Sequence, residues 1–108
     1  MFRKQLTYRV CLSDMESVLP KLCSIISTDY TPGTFSKFED QFNKSRKTKD
    51  YFRVIGTESI RFTITLEEYE GYFFADLVGK GKCFQSAKEY LWDCYISSGG
   101  NPSTQEKP

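Results

Sequence analysis

The sequence predicts an α+β fold, in which an antiparallel sheet of about four strands carries its helices on one face. Two patterns lead to this prediction. Residues 5–12 and 59–67 alternate apolar and polar side chains, as half-buried strands do. Residues 18–26 and 84–95 instead repeat apolar side chains at the spacing of an amphipathic helix. The predicted order is β-α-β-β-β-α, with a short extra helix after the first long one.

The first strand and the first helix meet near Ser13. The strand directs every second side chain to one face, namely Leu6, Tyr8, Val10 and Leu12. Ser13 and Glu16 form a capping-box pattern, which predicts a helix start. Pro20 then lies inside the helix, where it removes a hydrogen bond. A start at Ser17 instead places Pro20 in the first turn, where it is tolerated. In both cases the helix ends near Thr28.

The segment 29–50 predicts a turn, a short helix and an exposed loop. A turn is indicated at 31–34, where Pro and Gly are adjacent. Phe35, Phe38 and Phe42 then follow at intervals of three and four residues, which suits a short helix docked on the core. The polar run 43–50 is rich in basic side chains, and we expect it to be a solvated loop.

Three further strands and a helix complete the domain. Strands are predicted at 51–56, 59–67 and 72–78, with a turn at 68–71, and together they form an antiparallel meander. The last of these strands is apolar on both faces except at Asp76, which indicates a central strand or one that is covered on both sides. After a flexible turn, a helix built on Phe84, Ala87 and Leu91 runs to about residue 97. We therefore predict one domain over 1–97 and a polar, flexible tail over 98–108.

Composition excludes several classes of function. The chain has 108 residues, a net charge of +1, 16% aromatic residues and no histidine. The commonest general base is thus absent. The four cysteines form no C-x-x-C pair, so we expect no metal site and no cofactor. No run is apolar and long enough for a membrane span or a signal peptide. We expect a cytoplasmic protein that is not an enzyme.

One stretch resembles a known family of nucleic-acid-binding domains. Gly79-x-Gly81 leads into a helix that contains Ala87 and Lys88, and an α-β-β-β-α order extends over about 14–97. These features resemble the end and the element order of a double-stranded-RNA-binding domain. In that family, lysines at the start of the helix hold phosphates. Cys83, Phe84 and Gln85 stand at the corresponding Ser-Lys-Lys positions, so most of the family's RNA-contacting motif is absent.

The alternative function is therefore nucleic-acid binding, of a double-stranded-RNA-like kind. It depends on the basic loop and the Gly-Lys-Gly-Lys turn at 79–82. Phosphate contacts are formed by clustered lysine and arginine side chains. The candidates are Lys44, Arg46, Lys47, Lys49, Lys80, Lys82 and Lys88. This function requires that they share one face of the fold.

The leading hypothesis is a small protein-binding module of the inhibitor, immunity or accessory-subunit type, which acts by occupying a partner's surface. On a helix that starts near Phe84, Trp92 lies 100° away from the central apolar residue Leu91. Ile96 lies one turn beyond Trp92, and Lys88 one turn before it. Because tryptophan is a frequent anchor of protein interfaces, Trp92, Ile96 and Lys88 are the candidate partner-binding residues. Alternatively, the Phe35–Phe42 segment or the tail covers Trp92, which is then a core residue.

Overall fold

The fold is α+β, as predicted, and the helices and strands follow the predicted order. The computed structural model describes residues 5–68 and 71–108. The elements are β1 (Leu6–Leu12), α1 (Met15–Ile25), α2 (Thr34–Lys44), β2 (Lys49–Ile55), β3 (Arg61–Glu67), β4 (Phe73–Gly79) and α3 (Lys82–Ser97). Residues 1–4 of the predicted domain, and residues 69–70 of the predicted turn at 68–71, lie outside the described part.

The four strands form one antiparallel sheet in the order β1-β4-β3-β2. The meander predicted for β2, β3 and β4 is confirmed. β1 pairs with the other edge of β4. Leu77 of β4 therefore lies between Tyr8 of β1 and Phe62 of β3. β4 is therefore a central strand, but only one of its faces is covered by helices, since Phe74 on the other face is 42% exposed.

All three helices pack on one face of the sheet. α3 lies over β1 and β4, α2 lies over β2, and α1 lies between them. The strand residues that point toward the helices form the core, and most are fully buried: Tyr8, Val10, Leu12, Val54, Phe62, Ile64, Leu66, Ala75 and Leu77. None of the helices in the described part of the chain is both apolar enough and long enough to cross a bilayer.

The start of α1 differs from the capping-box prediction. Asp14, not Ser13, is the N-cap, and its Oδ1 accepts a hydrogen bond from the Ser17 amide at 3.2 Å. Pro20 lies inside the helix. Glu16 points instead toward the start of α2, where its carboxylate accepts hydrogen bonds from the Gly33 amide at 2.6 Å and the Ser36 amide at 3.0 Å. The capping box does not form, because Glu16 makes its hydrogen bonds with the start of α2 instead.

The predicted short helix is α2, and its phenylalanines dock as expected. Phe35 and Phe42 are buried, and Phe38 is partly buried against the core. The Phe35 ring makes edge-to-face contacts with Phe52 of β2 and Phe73 of β4, at centroid distances of 5.2 and 5.3 Å. α2 is thus attached to the sheet by aromatic packing.

Gly56 marks a close approach between the end of α1 and the β2–β3 turn. The neighbouring Thr57 amide donates a hydrogen bond to the Ile26 carbonyl at 2.9 Å. A Cβ at position 56 would overlap that carbonyl oxygen and would lie 2.8 Å from the Ile26 Cβ. We expect Gly56→Ala to cost about 1–3 kcal/mol, as overpacking does. Urea denaturation measures the loss. Gly71→Ala is the control, since no atom lies within 4 Å of its Cβ position, and equal losses for the two variants would contradict the prediction.

The C-terminal tail lies along β1. The Tyr8 hydroxyl donates a hydrogen bond to the Glu106 carbonyl at 2.8 Å, and the Gln105 side-chain amide donates one to the Arg9 carbonyl at 2.7 Å. Tyr95 of α3 bonds to the Asn101 carbonyl at 3.0 Å. The segment after α3 has no helix or strand, but these bonds place it against the outer edge of β1.

Candidate functional site

The predicted partner-binding residues lie on one flank of α3, which we call the α3 strip (Lys88, Trp92 and Ile96). Trp92 is partly buried and is not a member of the core cluster. Ile96 is 38% exposed. The Lys88 ammonium lies over the ring of Tyr8, 5.3 Å from its centroid. The strip therefore combines two accessible apolar side chains with one cation.

The tail borders the α3 strip. The Trp92 ring packs against Tyr95, with centroids 6.1 Å apart. The Tyr95 hydroxyl bonds to Asn101 and to Thr104 of the tail, at 3.0 Å in both cases. The tail thus holds Tyr95 in place beside Trp92, and Trp92 itself stays partly exposed.

The fold separates the basic loop from the Gly-Lys-Gly-Lys turn. Lys49 begins β2 and pairs with Glu67, the last residue of β3. Lys80 follows the last residue of β4, at the end of the sheet where β3 begins. These two ends are about 20 Å apart along a strand of this length. The loop 44–49 and the turn 79–82 therefore do not form one patch.

The remaining basic candidates differ in their surroundings. Lys47 pairs with Asp50 at 3.3 Å, and Lys49 pairs with Glu67 at 3.2 Å. Lys44 ends α2, and Arg46 lies in the turn that follows. Lys82 begins α3 just after Gly81, while Lys88 belongs to the α3 strip. Two of the four basic residues in the loop are thus already paired with carboxylates.

A second exposed surface is the side of the sheet that faces away from the helices, which we call the open face. The strand pairing aligns its side chains in rows across the sheet. Phe74, Thr65 and Tyr51 form one row, and Asp76, Thr63 and Arg53 form the next. Phe74 is 42% exposed and Tyr51 is 40% exposed. The open face is therefore aromatic as well as polar.

The charged side chains of the open face are mostly basic. The Arg9 guanidinium makes two hydrogen bonds with the Asp76 carboxylate, at 2.8 and 2.9 Å. Asp76, the only charged residue in its strand, is thus paired with an arginine. Arg53 and Arg61 are exposed and make no salt bridge with the described residues. The alternation of residues 59–67 predicts that Arg61 points away from the core, and the structure confirms this.

Two cysteine thiols are poor candidates for nucleophiles. Burial raises the pKa of the Cys23 thiol to about 11. Burial also raises the pKa of the Cys94 thiol, against the opposing effect of a hydrogen bond with Tyr90. Both thiols stay protonated at neutral pH, and a protonated thiol is a weak nucleophile. Across residues 5–68 and 71–108, no three His, Cys, Asp or Glu side chains converge as metal ligands would.

No protein-family model matches the chain, and comparisons with curated proteins and with solved structures find no match.

Proposed function

We propose that this chain is a small cytoplasmic protein-binding module without enzymatic activity, of the inhibitor, immunity or accessory-subunit type. The observation that carries the proposal is the partial exposure of Trp92 beside the exposed Ile96. Tryptophan dominates many interfaces because a partner that covers it removes a large apolar surface from water.

The surroundings of the α3 strip support its use as an interface. Trp92 lies on a 16-residue helix and packs on Tyr95, which the tail holds in place. A side chain that is already fixed loses little conformational entropy when a partner covers it. Lys88, held over the Tyr8 ring, adds a cation at the rim of the strip. The partner surface that fits is an apolar pocket bordered by a carboxylate.

Replacing Trp92 tests this function. We expect Trp92→Ala to weaken partner binding by about 2 kcal/mol or more, as truncation of a binding hot spot does. Stability should fall by much less than the roughly 3–5 kcal/mol of a fully buried tryptophan. The measurements are capture of a protein partner from a lysate of the source organism, and the melting temperature of the purified variant.

Glu89→Ala is the matched control, since Glu89 is exposed on the same helix outside the strip. It should leave both capture and melting temperature unchanged. A Trp92→Ala variant that unfolds, or that captures the partner as well as the unmodified chain, contradicts the assignment of the α3 strip. A purified chain that turns over a substrate and captures no protein contradicts the proposed function itself.

A further inference from the structure

We propose that the open face of the sheet binds a single strand of RNA, through stacking on Phe74 and Tyr51 and phosphate contacts with Arg53 and Arg61. This site is separate from the α3 strip, because it lies on the side of the sheet opposite to the helices. Its test therefore does not depend on the proposed protein-binding function.

The charge distribution favours an anionic ligand. The open-face residues of the four strands include four basic side chains and two acidic ones: Arg9, Lys49, Arg53 and Arg61, with Glu67 and Asp76. This net charge of +2 exceeds the +1 of the whole chain, so the rest of the molecule is slightly acidic. A second copy of the chain would present the same positive face and would be repelled. A polyphosphate backbone has the complementary charge.

The aromatic side chains favour a ligand with unpaired bases. Phe74 and Tyr51 both flank Thr65 and are therefore about two strand spacings, roughly 10 Å, apart. At this separation they take two different bases of one strand. Base stacking on aromatic rings is the main sequence-tolerant contact to single strands. The bases of a duplex are stacked on one another, and a flat sheet cannot reach their faces.

Cations surround one of the two rings. The Arg53 guanidinium lies 5.3 Å, and the Lys49 ammonium 5.8 Å, from the centre of the Tyr51 ring. A base stacked on Tyr51 would bring its phosphate close to these groups. Stacking and charge neutralisation can thus occur at the same nucleotide.

Two threonines select RNA over DNA. Thr63 and Thr65 lie at the centre of the open face, and their hydroxyls make no hydrogen bond with the described residues. Each is partly exposed. The ribose 2′-hydroxyl, which DNA lacks, can both donate to and accept from such a group.

A groove extends the open face beyond Phe74. It has a volume of about 500 Å³ and runs between Phe74, Tyr72 and the tail residues Thr104–Glu106. The Tyr72 ring meets Phe74 edge to face, with centroids 5.8 Å apart. The base next to the one stacked on Phe74 can enter this groove and pack against Tyr72. One end of the RNA is then held in the groove.

The test is fluorescence anisotropy with a labelled uridine oligomer of about 12 nucleotides, a length within the usual range for single-strand sites. Two phosphate contacts, with Arg53 and Arg61, give a salt slope of about −1.4, so the Kd should rise roughly sevenfold between about 50 and 200 mM salt. Tyr51→Ala and Phe74→Ala should each weaken binding by about tenfold. Tyr51→Trp and Phe74→Tyr should restore it, which separates stacking from damage to the fold.

Arg53→Glu is compared with Lys37→Glu, which makes the same charge change on an exposed position of α2. The first should weaken binding and flatten the salt slope, and the second should leave the slope unchanged. The proposal is overturned if the oligomer does not bind at low salt, if both charge variants weaken binding equally, or if a duplex or the matching thymidine deoxyoligomer binds as tightly. It is also overturned if Tyr51→Ala abolishes capture of a protein partner while the variant and the unmodified chain bind the uridine oligomer equally well.

Discussion

Phe35→Ala is expected to lower the free energy of unfolding by about 3–5 kcal/mol, the usual loss for a buried phenylalanine. Phe35 is 2% exposed and contacts the rings of Phe52 and Phe73. Its removal opens a cavity where α2, β2 and β4 meet. Because small domains are stable by about 5–15 kcal/mol, this variant loses a large share of the total. Urea denaturation followed by circular dichroism measures the change.

Phe38→Ala is the matched control, on the same helix. Phe38 contacts Phe52 at 5.4 Å but is only partly buried. Its loss should be about 1–2 kcal/mol, because less of its surface leaves water on folding. If Phe35→Ala costs no more than Phe38→Ala, then aromatic packing does not attach α2 to the sheet.

Glu16→Ala is expected to cost about 2–3 kcal/mol, since hydrogen bonds to a charged group are stronger than those between neutral groups. Its carboxylate accepts hydrogen bonds from Tyr30 and from the amides of Gly33 and Ser36. These amides belong to the start of α2, where a negative charge is favoured. Asp14→Ala, which removes the cap of α1, should cost only about 1 kcal/mol. Equal losses would show that the hydrogen bonds of Glu16 to α2 stabilise the fold no more than an ordinary helix cap does.

The same contacts predict a pH dependence. Burial alone would raise the pKa of Glu16, but the hydrogen bonds from Gly33, Tyr30 and Ser36 outweigh it, so the pKa is lowered from 4.5. A lowered pKa in the folded state stabilises the fold at pH values above 4.5. This stabilisation is lost as the pH falls through 4.5 toward the folded value. The difference in stability between the unmodified chain and Glu16→Gln should therefore shrink in acid, and a constant difference between neutral pH and pH 3 would contradict the assignment.

Local periodicity was enough to predict the elements and the antiparallel meander of β2, β3 and β4, but not the strand that pairs with the other edge of β4. The alternation in 5–12 and 59–67 predicted two strands, and the spacing of Phe35, Phe38 and Phe42 predicted α2. The insertion of β4 beside β1 has no local signal, because strand pairing between distant segments depends on the whole core. The role of Glu16 was missed for the same reason: its partners lie 17 and 20 residues away.

The candidate sites show the same limit. Helical geometry placed Trp92 beside the buried stripe, and the structure finds it partly buried there. The alternation of residues 59–67 predicted the outward side of β3, but β4 carries a phenylalanine on each side, Phe73 inward and Phe74 outward. Only the packing of the helices decides which of the two is exposed. Likewise, the number of residues between Lys49 and Lys80 does not predict that they lie at opposite ends of the sheet.

The position of β4 has a consequence for how the protein forms during synthesis. β4 lies between β1 and β3 in the sheet, yet it is the last of these four strands in chain order. Until it emerges, β1 has no neighbour in the sheet, and the β2–β3 hairpin has an unpaired edge. The contacts between β1 and β4 join opposite ends of the domain, and such non-local contacts slow folding. The nascent domain therefore exposes unpaired strand edges until β4 has emerged, and such edges favour aggregation.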